Sequence, residues 1–416
     1  MPTVTRISRV LLSVFLSMLA LKLLWSVLAS TDAAQASRAQ AVASLDRDWA
    51  PVIVTGTFPG APVNEIFVYR AVGGVWEQIP FQVDELTASG SYTLTEDGRL
   101  DANDEIVFMA GDLGDEATTS IAVSLPVSIP WYQIEVTDPL SPTKQGWAYL
   151  VRSSQLTLNT ATDYADYITA TQRVSATHYS LGWAVSHSGQ DYLSLFGGAN
   201  ILDRTKLRVR LGLLTLTENA LAPNVILLTD GPVRAIVSRG PVVTRAYASF
   251  LHTTTPVSLS ASITIDEYRI STDLTSTITN GTYYNENMPG GVTIDGITDT
   301  VPATPFLNAW RQVSLDSGTT IQIVDLGAVG GAPSHYYKDN GALDNSDTGD
   351  RRSYGDAGVR VISPTSNVFT VESVQYVLPG RQNNRGAEFY EFFRNPLLVS
   401  RRLEGGKMVY LPLIVK

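Results

Sequence analysis

Hydrophobic and polar residues alternate with a period of two along much of the chain beyond residue 50. In residues 258–265, Leu, Ala and Ile side chains alternate with Ser and Thr, and residues 268–278 repeat the pattern. Such alternation predicts antiparallel strands that bury one face. The continuous apolar run at 106–109 instead predicts a strand that is buried on both faces.

Helical spacing is rare in this sequence. Residues 306–313 and 387–394 are the segments in which we expect a short helix. Elsewhere, strand-like runs are separated by turns rich in Gly, Pro, Asn and Asp. The pattern therefore predicts an all-β protein.

The strand-like runs also suggest how the chain is divided. We expect a small N-terminal antiparallel β module at 45–125 and a connecting hairpin at 126–152. A larger β-sandwich domain is predicted at 153–403, where the strands are longer. A C-terminal strand at 404–416 contains Pro412, which suits the edge of a sheet.

The first 36 residues have the features of an export signal. A short basic segment precedes the apolar residues 10–29, and the small residues Ala34 and Ala36 suit a signal-peptidase site. The alternative is an uncleaved anchor, since the apolar stretch is just long enough to span a bilayer. Lys22 would be costly in a permanent span. We expect a signal peptide at 1–36 and a secreted or cell-surface protein that has no membrane span after cleavage.

Composition excludes several classes of function. The chain has 30 Lys and Arg against 40 Asp and Glu, a net charge of −10, which disfavours nucleic-acid binding. The absence of cysteine excludes disulfides, thiolate metal sites and cysteine nucleophiles. The sequence also lacks the nucleophile elbow of serine hydrolases and the glycine-rich loop that holds phosphates.

Several motifs carry a resemblance to known proteins. Residues 75–85 read VWEQIPFQVDE, and DGRLD at 97–101 and DEIVFM at 104–109 follow. With D-R-x-K-x-R at 203–208 and DGPVR at 230–234, they resemble motifs of exported bacterial all-β proteins that are largely uncharacterised. Some of those proteins resemble sugar-processing β-supersandwich proteins. The resemblance thus implies a supersandwich-like large domain and an association with carbohydrate.

One strand is unusually basic. Arg204, Lys206 and Arg208, continued by Arg210, would line one face of a strand because successive side chains point to opposite faces. They are candidate contacts for uronates or other anionic glycan groups. The alternative is a sheet surface neutralised by acidic residues on adjacent strands.

Residues 279–300 and 331–356 are predicted to be long polar loops with candidate ligand contacts. The tyrosines proposed to stack on sugar rings are Tyr283, Tyr284, Tyr336 and Tyr337. Tyrosine also packs on sheets without any ligand. His335 opens the second loop and is a candidate general base, the alternative being an ordinary surface or core histidine.

Calcium is the cofactor that the acidic turns suggest. Asp344, Asp347 and Asp350 lie in one short polar segment and are predicted as metal ligands, because calcium binds several oxygens from one turn. Residues 97–105 are a second candidate. Neither segment matches the EF-hand pattern, so solvated turns are the alternative.

Taken together, these features predict an extracellular or cell-surface protein that binds a glycan or a cell-envelope polysaccharide. One alternative is a carbohydrate-active enzyme of the mutarotase-like or polysaccharide lyase-like type. The other is a structural surface protein without catalysis. An enzyme requires histidine, tyrosine, arginine or paired carboxylates that converge in one cleft, and spacing along the chain does not reveal such convergence.

Overall fold

The computed structural model describes residues 41–117, 131–158, 161–403 and 408–411. The predicted signal peptide at 1–36 lies outside these residues, as does the beginning of the predicted connecting hairpin. Within the described ranges, no helix has both the length and the apolar character needed to cross a membrane.

The all-β prediction is confirmed, since the described elements are almost all strands. In chain order the strands are β1 Pro51–Val54, β2 Ile66–Val72, β3 Val75–Gln78, β4 Gln82–Asp84, β5 Glu105–Met109, β6 Trp131–Asp138, β7 Ser141–Arg152, β8 Ala165–Ile168, β9 Arg173–Ala176, β10 Tyr179–Trp183, β11 Gln190–Leu195, β12 Leu202–Leu211, β13 Leu214–Thr217, β14 Val225–Asp230, β15 Arg234–Arg239, β16 Val242–Tyr247, β17 Phe250–Ser258, β18 Glu267–Leu274, β19 Gly281–Asn285, β20 Met288–Ile294, β21 Trp310–Leu315, β22 Gly318–Asp325, β23 Ala332–Asn340, β24 Ser353–Ile362, β25 Val368–Leu378, β26 Leu398–Leu403 and β27 Met408–Leu411. The helices are α1 at Gly386–Arg394 and the short 3₁₀ turns Val63–Glu65, Ala110–Asp112 and Glu218–Ala220.

The strands form antiparallel sheets of very different sizes. The largest has nine strands, in the order β14-β15-β16-β17-β25-β22-β21-β19-β20. A six-stranded sheet has the order β27-β26-β6-β7-β2-β3, and a three-stranded sheet has the order β1-β5-β4. A five-stranded sheet, β13-β12-β18-β24-β23, and a four-stranded sheet, β11-β10-β9-β8, complete the described part of the fold.

The three-stranded sheet is the middle layer of the N-terminal half. Ile106 and Phe108 on β5 pack into a core shared with the six-stranded sheet. Val107 and Met109 point the other way, into a core shared with the nine-stranded sheet. Successive side chains on a strand alternate between faces, so β5 is buried on both, as residues 106–109 predict.

The opposite face of the nine-stranded sheet is covered by the two remaining sheets. Val237 and Leu251 pack with residues of the four-stranded sheet. Farther along, Val371 and Phe369 pack with residues of the five-stranded sheet, including Tyr268. The large sheet thus has a packed layer on each side, and the protein is a layered, sandwich-like structure.

Three predicted elements differ from the structure. The strand predicted at 258–265 is not formed, since β17 ends at Ser258 and the next residues form turns. The Asn367 amide holds these turns by donating to the carbonyl oxygens of Ser260 and Ile263 at 2.8 and 2.6 Å. The helix expected at 306–313 is not formed, since Trp310–Leu315 pairs with β19 and β22. The predicted loops at 279–300 and 331–356 contain β19, β20 and β23. The helix expected at 387–394 is confirmed as α1.

The predicted connecting hairpin is an integral part of a sheet. Strand β7 pairs with β2, and β6 pairs with β26. Residues 131–152 therefore lie at the centre of the six-stranded sheet, which joins the predicted module at 45–125 to the C-terminal strands. Strand β27 lies at the edge of that sheet, where the C-terminal strand at 404–416 was expected.

The middle layer provides a test of the core. Ile106 is fully buried, whereas Ile297 is 69% exposed. Replacing Ile106 with Ala should lower the free energy of unfolding by about 2–5 kcal/mol, because it leaves a cavity between packed sheets. The same change at Ile297 should cost less than about 0.5 kcal/mol. Urea unfolding measures both, and equal losses would contradict the proposed layering.

Candidate functional site

A fully buried arginine joins the N-terminal strands to the nine-stranded sheet. Arg234, at the start of β15, donates from Nε and Nη2 to Asp84 Oδ2 at 2.8 and 2.5 Å. Its Nη1 donates to the hydroxyl of Tyr247 at 2.6 Å, and Nη2 also contacts Glu105. Both carboxylates belong to the three-stranded sheet, on β4 and β5, so one guanidinium connects two layers.

Two of the sequence motifs meet at this arginine. Gln82 Oε1 accepts hydrogen bonds from the backbone amides of Val233 and Arg234 at 2.9 and 2.7 Å. The Gln82 amide donates to Asp84 Oδ1 at 2.7 Å. The PFQVD and DGPVR motifs are therefore two halves of one buried contact.

The surroundings of Arg234 stabilise its charged form. Burial by itself would lower the pKa of Arg234, but Asp84, Glu105 and two tyrosine oxygens raise it well above its usual value. A buried charge that lacks partners is costly. Here the guanidinium is matched by two carboxylates, so the contact is stable only when both layers are in place.

A cavity of about 340 Å³ lies beside this contact, between the N-terminal strands, the nine-stranded sheet and α1. One wall consists mainly of aromatic rings, which belong to Trp49, Phe250, Tyr376, Phe392 and Phe393. The ring of Trp49 lies 4.7 Å from that of Tyr376, 5.8 Å from that of Phe392 and 6.2 Å from that of Phe250. Trp49 is thus the centre of the aromatic wall.

Hydrogen-bonding groups also line the cavity, among them Tyr92, Glu105, Arg245 and His252. Arg245 Nε donates to the Tyr92 hydroxyl at 2.9 Å, and that hydroxyl donates to Glu105 Oε2 at 3.0 Å. Burial raises the pKa of Tyr92 to about 12, so the phenol stays protonated. These groups are fixed by one another rather than by a ligand.

His252 contributes a pair of titratable groups. Its Nε2 lies 2.5 Å from Glu372 Oε2, and Thr254 Oγ1 donates to the same oxygen at 2.9 Å. Burial lowers the pKa of His252, which keeps the imidazole neutral. Burial alone would raise the pKa of Glu372, but the hydrogen bonds from His252 and Thr254 bring it below its usual value.

This arrangement has the components of proton-transfer chemistry. The His252 tautomer that donates from Nε2 to Glu372 leaves the Nδ1 lone pair as an acceptor. A neutral histidine oriented by a carboxylate is a general base, and a protonated tyrosine is a proton donor. The cavity therefore brings together the side chains of His252, Tyr92, Arg245 and Glu105, with Glu372 hydrogen-bonded to His252.

The basic strand lies elsewhere and is not an open cationic surface. Lys206 is fully buried, with Nζ 2.6 Å from Asp273 Oδ2 and 2.7 Å from Asp347 Oδ2. Arg208 contacts Glu218 at 2.7 Å, and Arg204 lies 3.4 Å from the same carboxylate. Acidic residues on neighbouring elements neutralise these cations, which was the alternative interpretation of the sequence.

The predicted tyrosines do not form one platform. Tyr283 is fully buried and its ring stacks on that of Tyr337 at 4.4 Å. Tyr284 packs at the edge of the core beneath the nine-stranded sheet. Tyr336 instead lies under the Arg269 guanidinium, at 4.1 Å. Strand pairing, which the loop prediction missed, brings Tyr283 and Tyr337 together and places Tyr284 and Tyr336 in other surroundings.

His335 is also buried away from the cavity. Its Nε2 lies 2.8 Å from Glu286 Oε1, and its ring is 4.8 Å from that of Phe306. Burial lowers its pKa. These contacts match the alternative interpretation, an ordinary core histidine.

The three predicted calcium ligands have different partners. Asp344 pairs with Lys338 at 3.0 Å, and Asp347 pairs with Lys206 and Arg208. Asp350 instead converges with Asp203 and Asp273, whose oxygens lie within 4.8 Å of one another and could hold a metal ion. Of the predicted set, only Asp350 thus belongs to a group with metal-binding geometry among the described residues.

Sequence reasoning missed the residues that line the cavity. The lining residues Trp49, Tyr92, Arg245 and His252 come from distant parts of the chain, and none stands in a recognisable local motif. The same is true of Glu372, which contacts His252. The usable signal was the pair of motifs around Gln82 and Arg234. Their contact marks the place where the layers meet and the cavity opens.

The buried arginine gives a stability prediction. Replacing Arg234 with Met should cost about 3–5 kcal/mol, because Asp84 and Glu105 would lose their buried partner. The double change Arg234→Met and Asp84→Asn should cost less than the single change. Arg360→Met, which breaks a pair with Glu267 at a 43% exposed arginine, should cost about 1 kcal/mol or less. If urea unfolding showed equal losses for Arg234→Met and Arg360→Met, the bridging role would be wrong.

His252 gives a pH prediction. Its pKa in the folded protein is below the ordinary value of 6.5, so the unfolded chain binds more protons at this site. Its contribution to stability is therefore present above that value and is lost as the pH falls below it. The stability advantage of the native protein over His252→Gln should shrink on acidification, by at most about 1.4 kcal/mol per pH unit. Urea unfolding between neutral and mildly acidic pH measures this, and a constant or growing advantage would contradict a neutral buried imidazole.

Comparison with known proteins adds no assignment. A scan against protein-family models gives no match for the chain, and a search of the curated proteins finds no similar sequence. The resemblance carried by the PFQVD and DGPVR motifs thus remains a prediction, while their mutual contact is an observation on this chain.

Proposed function

We propose that this is an exported, extracellular or cell-surface protein that binds carbohydrate in the cavity between its N-terminal strands and its nine-stranded sheet. The observation that carries the proposal is the combination of aromatic rings and fixed hydrogen-bonding groups around one space. Ligand sites are typically concave, mostly apolar and provided with a few well-placed polar groups.

The aromatic wall suits the apolar face of a sugar ring. Trp49 presents a large ring that is held in place by contacts with Phe250, Tyr376 and Phe392. Rigid aromatic side chains lose little conformational freedom on binding, so they give contact area at low entropic cost.

The polar groups suit hydroxyl recognition. Arg245 and Tyr92 supply donors, and Glu105 supplies acceptors. Because these side chains are already hydrogen-bonded to one another, their orientation is fixed before a ligand arrives. Such preorganisation reduces the entropic cost of binding.

The size of the cavity narrows the ligand. A volume of about 340 Å³ is at the small end of ligand sites, which range over about 300–1,000 Å³. We therefore propose that a short oligosaccharide or the end of a polysaccharide chain binds here. The proposed contacts are Trp49, Tyr92, Arg245 and Glu105, in place of the basic strand and the tyrosine pairs.

A carbohydrate-active enzyme of the mutarotase-like or lyase-like type is the second candidate. It is favoured by the hydrogen bond between His252 and Glu372 at the wall of the same cavity. In that case His252 would accept a proton from the bound sugar and Tyr92 would donate one. Faster interconversion of sugar anomers, or unsaturated products from a polysaccharide, with the native protein but not with His252→Gln would support catalysis.

The binding test is a screen of oligosaccharides and cell-envelope polysaccharides on the purified protein, with calcium and with a chelator. For any glycan that binds, Trp49→Ala and Arg245→Met should each weaken affinity by about tenfold or more, because each removes a central contact. Tyr336→Ala is the matched control, since Tyr336 lies against Arg269 and outside the cavity, and its affinity should be unchanged.

The outcomes separate the alternatives. If Tyr336→Ala lost binding and the cavity variants kept it, the site would be wrong. If no glycan bound at all, the carbohydrate proposal would be wrong and a structural surface protein would be the better account. Loss of binding in chelator would place the binding site at the carboxylates of Asp203, Asp273 and Asp350, outside the cavity, and would contradict the cavity site.

A further inference from the structure

Three charged side chains are buried side by side on the five-stranded sheet, away from the cavity. Lys206 on β12, Asp273 on β18 and Asp356 on β24 are each fully buried. The three strands are neighbours in the sheet. Lys206 Nζ lies 2.6 Å from Asp273 Oδ2 and 3.8 Å from Asp356 Oδ2.

This group is not a balanced ion pair. The carboxylates of Asp273, Asp347 and Asp356 surround one ammonium. The buried Arg311 also acts electrostatically on Asp356, but among the described residues neither oxygen of Asp356 has a hydrogen-bond partner. Asp273 Oδ2, although 2.6 Å from Nζ, is likewise outside hydrogen-bond geometry. Buried carboxylates without full pairing destabilise a fold, so a reaction that removes their charge would stabilise this one.

We propose that Lys206 Nζ and Asp273 Cγ join in an intramolecular amide bond, with Asp356 accepting the proton that the ammonium must lose. The ligand-binding cavity has no part in this modification. It requires no co-reactant, because the reaction is a condensation that releases one water molecule.

The steps balance in atoms and charge. The Lys206 ammonium passes a proton to the Asp356 carboxylate, which leaves a neutral amine and a carboxylic acid. The amine nitrogen attacks Cγ of protonated Asp273, the Cγ–O bond breaks, and the hydroxyl leaves as water with a proton from the nitrogen. The product is a neutral amide beside a neutral Asp356, which can donate a hydrogen bond to the new carbonyl oxygen.

The surroundings favour each step. The reacting groups are already in contact, since Asp273 Oδ2 lies 2.6 Å from Lys206 Nζ and both side chains are fully buried. Asp356 Oδ2 lies 3.8 Å from the same nitrogen, so a carboxylate that can take up the ammonium proton is at hand. Fixed proximity of the reacting groups replaces an encounter in solution, and exclusion of bulk water limits reversal by hydrolysis.

Asp347 already has partners of opposite charge, since its Oδ2 accepts from Lys206 Nζ at 2.7 Å and its Oδ1 accepts from Arg208 Nη2 at 2.8 Å. Neither oxygen of Asp356 has a hydrogen-bond partner among the described residues, so we assign the proton to Asp356. After the reaction Asp347 keeps Arg208 as its partner. The cross-link thus leaves no carboxylate stranded in this group.

The link would connect two neighbouring strands that are far apart in the sequence. Strands β13 to β17 all lie between β12 and β18 along the chain. In a protein without cysteine, an amide cross-link would supply the covalent restraint that disulfides give other proteins.

The test is a tryptic peptide map of the purified, folded protein by mass spectrometry. Trypsin cleavage on either side gives residues 205–208 and 270–311. We expect these two peptides joined, lighter than their sum by one water, with no cleavage after Lys206. Dehydration at an Asp-Gly step also loses one water, but it does not join peptides. Recovery of residues 270–311 as a free peptide in full amount, together with cleavage after Lys206, would overturn the proposal.

Variants test the roles of the two aspartates. Asp356→Asn should abolish the joined peptide, whereas the matched control Asp347→Asn should retain it. A joined peptide in Asp356→Asn at the native level would overturn the role of Asp356. A link from Lys206 to residues 339–351, which contain Asp347, would overturn the assignment to Asp273. The native peptide map decides the main claim even if a variant fails to fold.

Discussion

The contact between Arg234 and its two carboxylates is the interaction on which the rest of the structure depends. It is made by side chains from three strands in two sheets. Arg234 and Asp84 are fully buried, and the neighbouring Tyr247 is almost fully buried. A charge in that position is tolerable only if its partners arrive from the other layer. Burial of Arg234 therefore requires that the N-terminal strands dock onto the nine-stranded sheet, and the two occur together.

The cavity follows from the same constraint. The middle sheet has three strands and lies over a sheet of nine, so it covers only part of that surface. Glu105 begins β5 and precedes its apolar residues, so the apolar core ends at this position. Glu105 belongs to a polar wall that is hydrogen-bonded to Arg234 through Tyr92. Trp49 and the end of α1 close the remaining side. An apolar wall and a polar wall thus face one another because one layer ends there.

Local pattern was sufficient for the elements whose environment is simple. The two-sided burial of 106–109 and the helix at 387–394 could be predicted, since both depend on the side chains of the segment itself. The regions at 279–300 and 331–356 could not, because their Gly, Asn and Tyr residues are typical of loops. Pairing of β19 with β20 and β21, and of β23 with β24, makes them strands. The helix predicted at 306–313 failed for the same reason.

The candidate site was even less accessible to local pattern. His252 and Glu372 meet across adjacent strands although β18 to β24 lie between them in the chain, so no spacing relates them. The alternating cations at 204–208 were visible, but their meaning depended on Glu218 and Asp347, which neutralise them from other elements. Periodicity establishes which face a side chain is on, and only the tertiary fold establishes what covers that face.

Among the described residues, Arg234 and Lys206 are the cations with no exposed surface, and their charges are balanced to different degrees. At Arg234, several donors are matched by Asp84, Glu105 and Tyr247, so ionisation is stabilised and the group serves as a permanent structural joint. At Lys206, a cation with fewer donors lies among more carboxylates than it can satisfy, and Asp356 remains without a hydrogen bond in the described structure. A guanidinium is a poor nucleophile and cannot readily lose its proton, whereas an amine can do so once a carboxylate accepts it. Arg234 and Lys206 are equally buried, so burial does not distinguish the structural group from the reactive one. The difference is that Lys206 can lose a proton to a neighbouring carboxylate and Arg234 cannot readily do so.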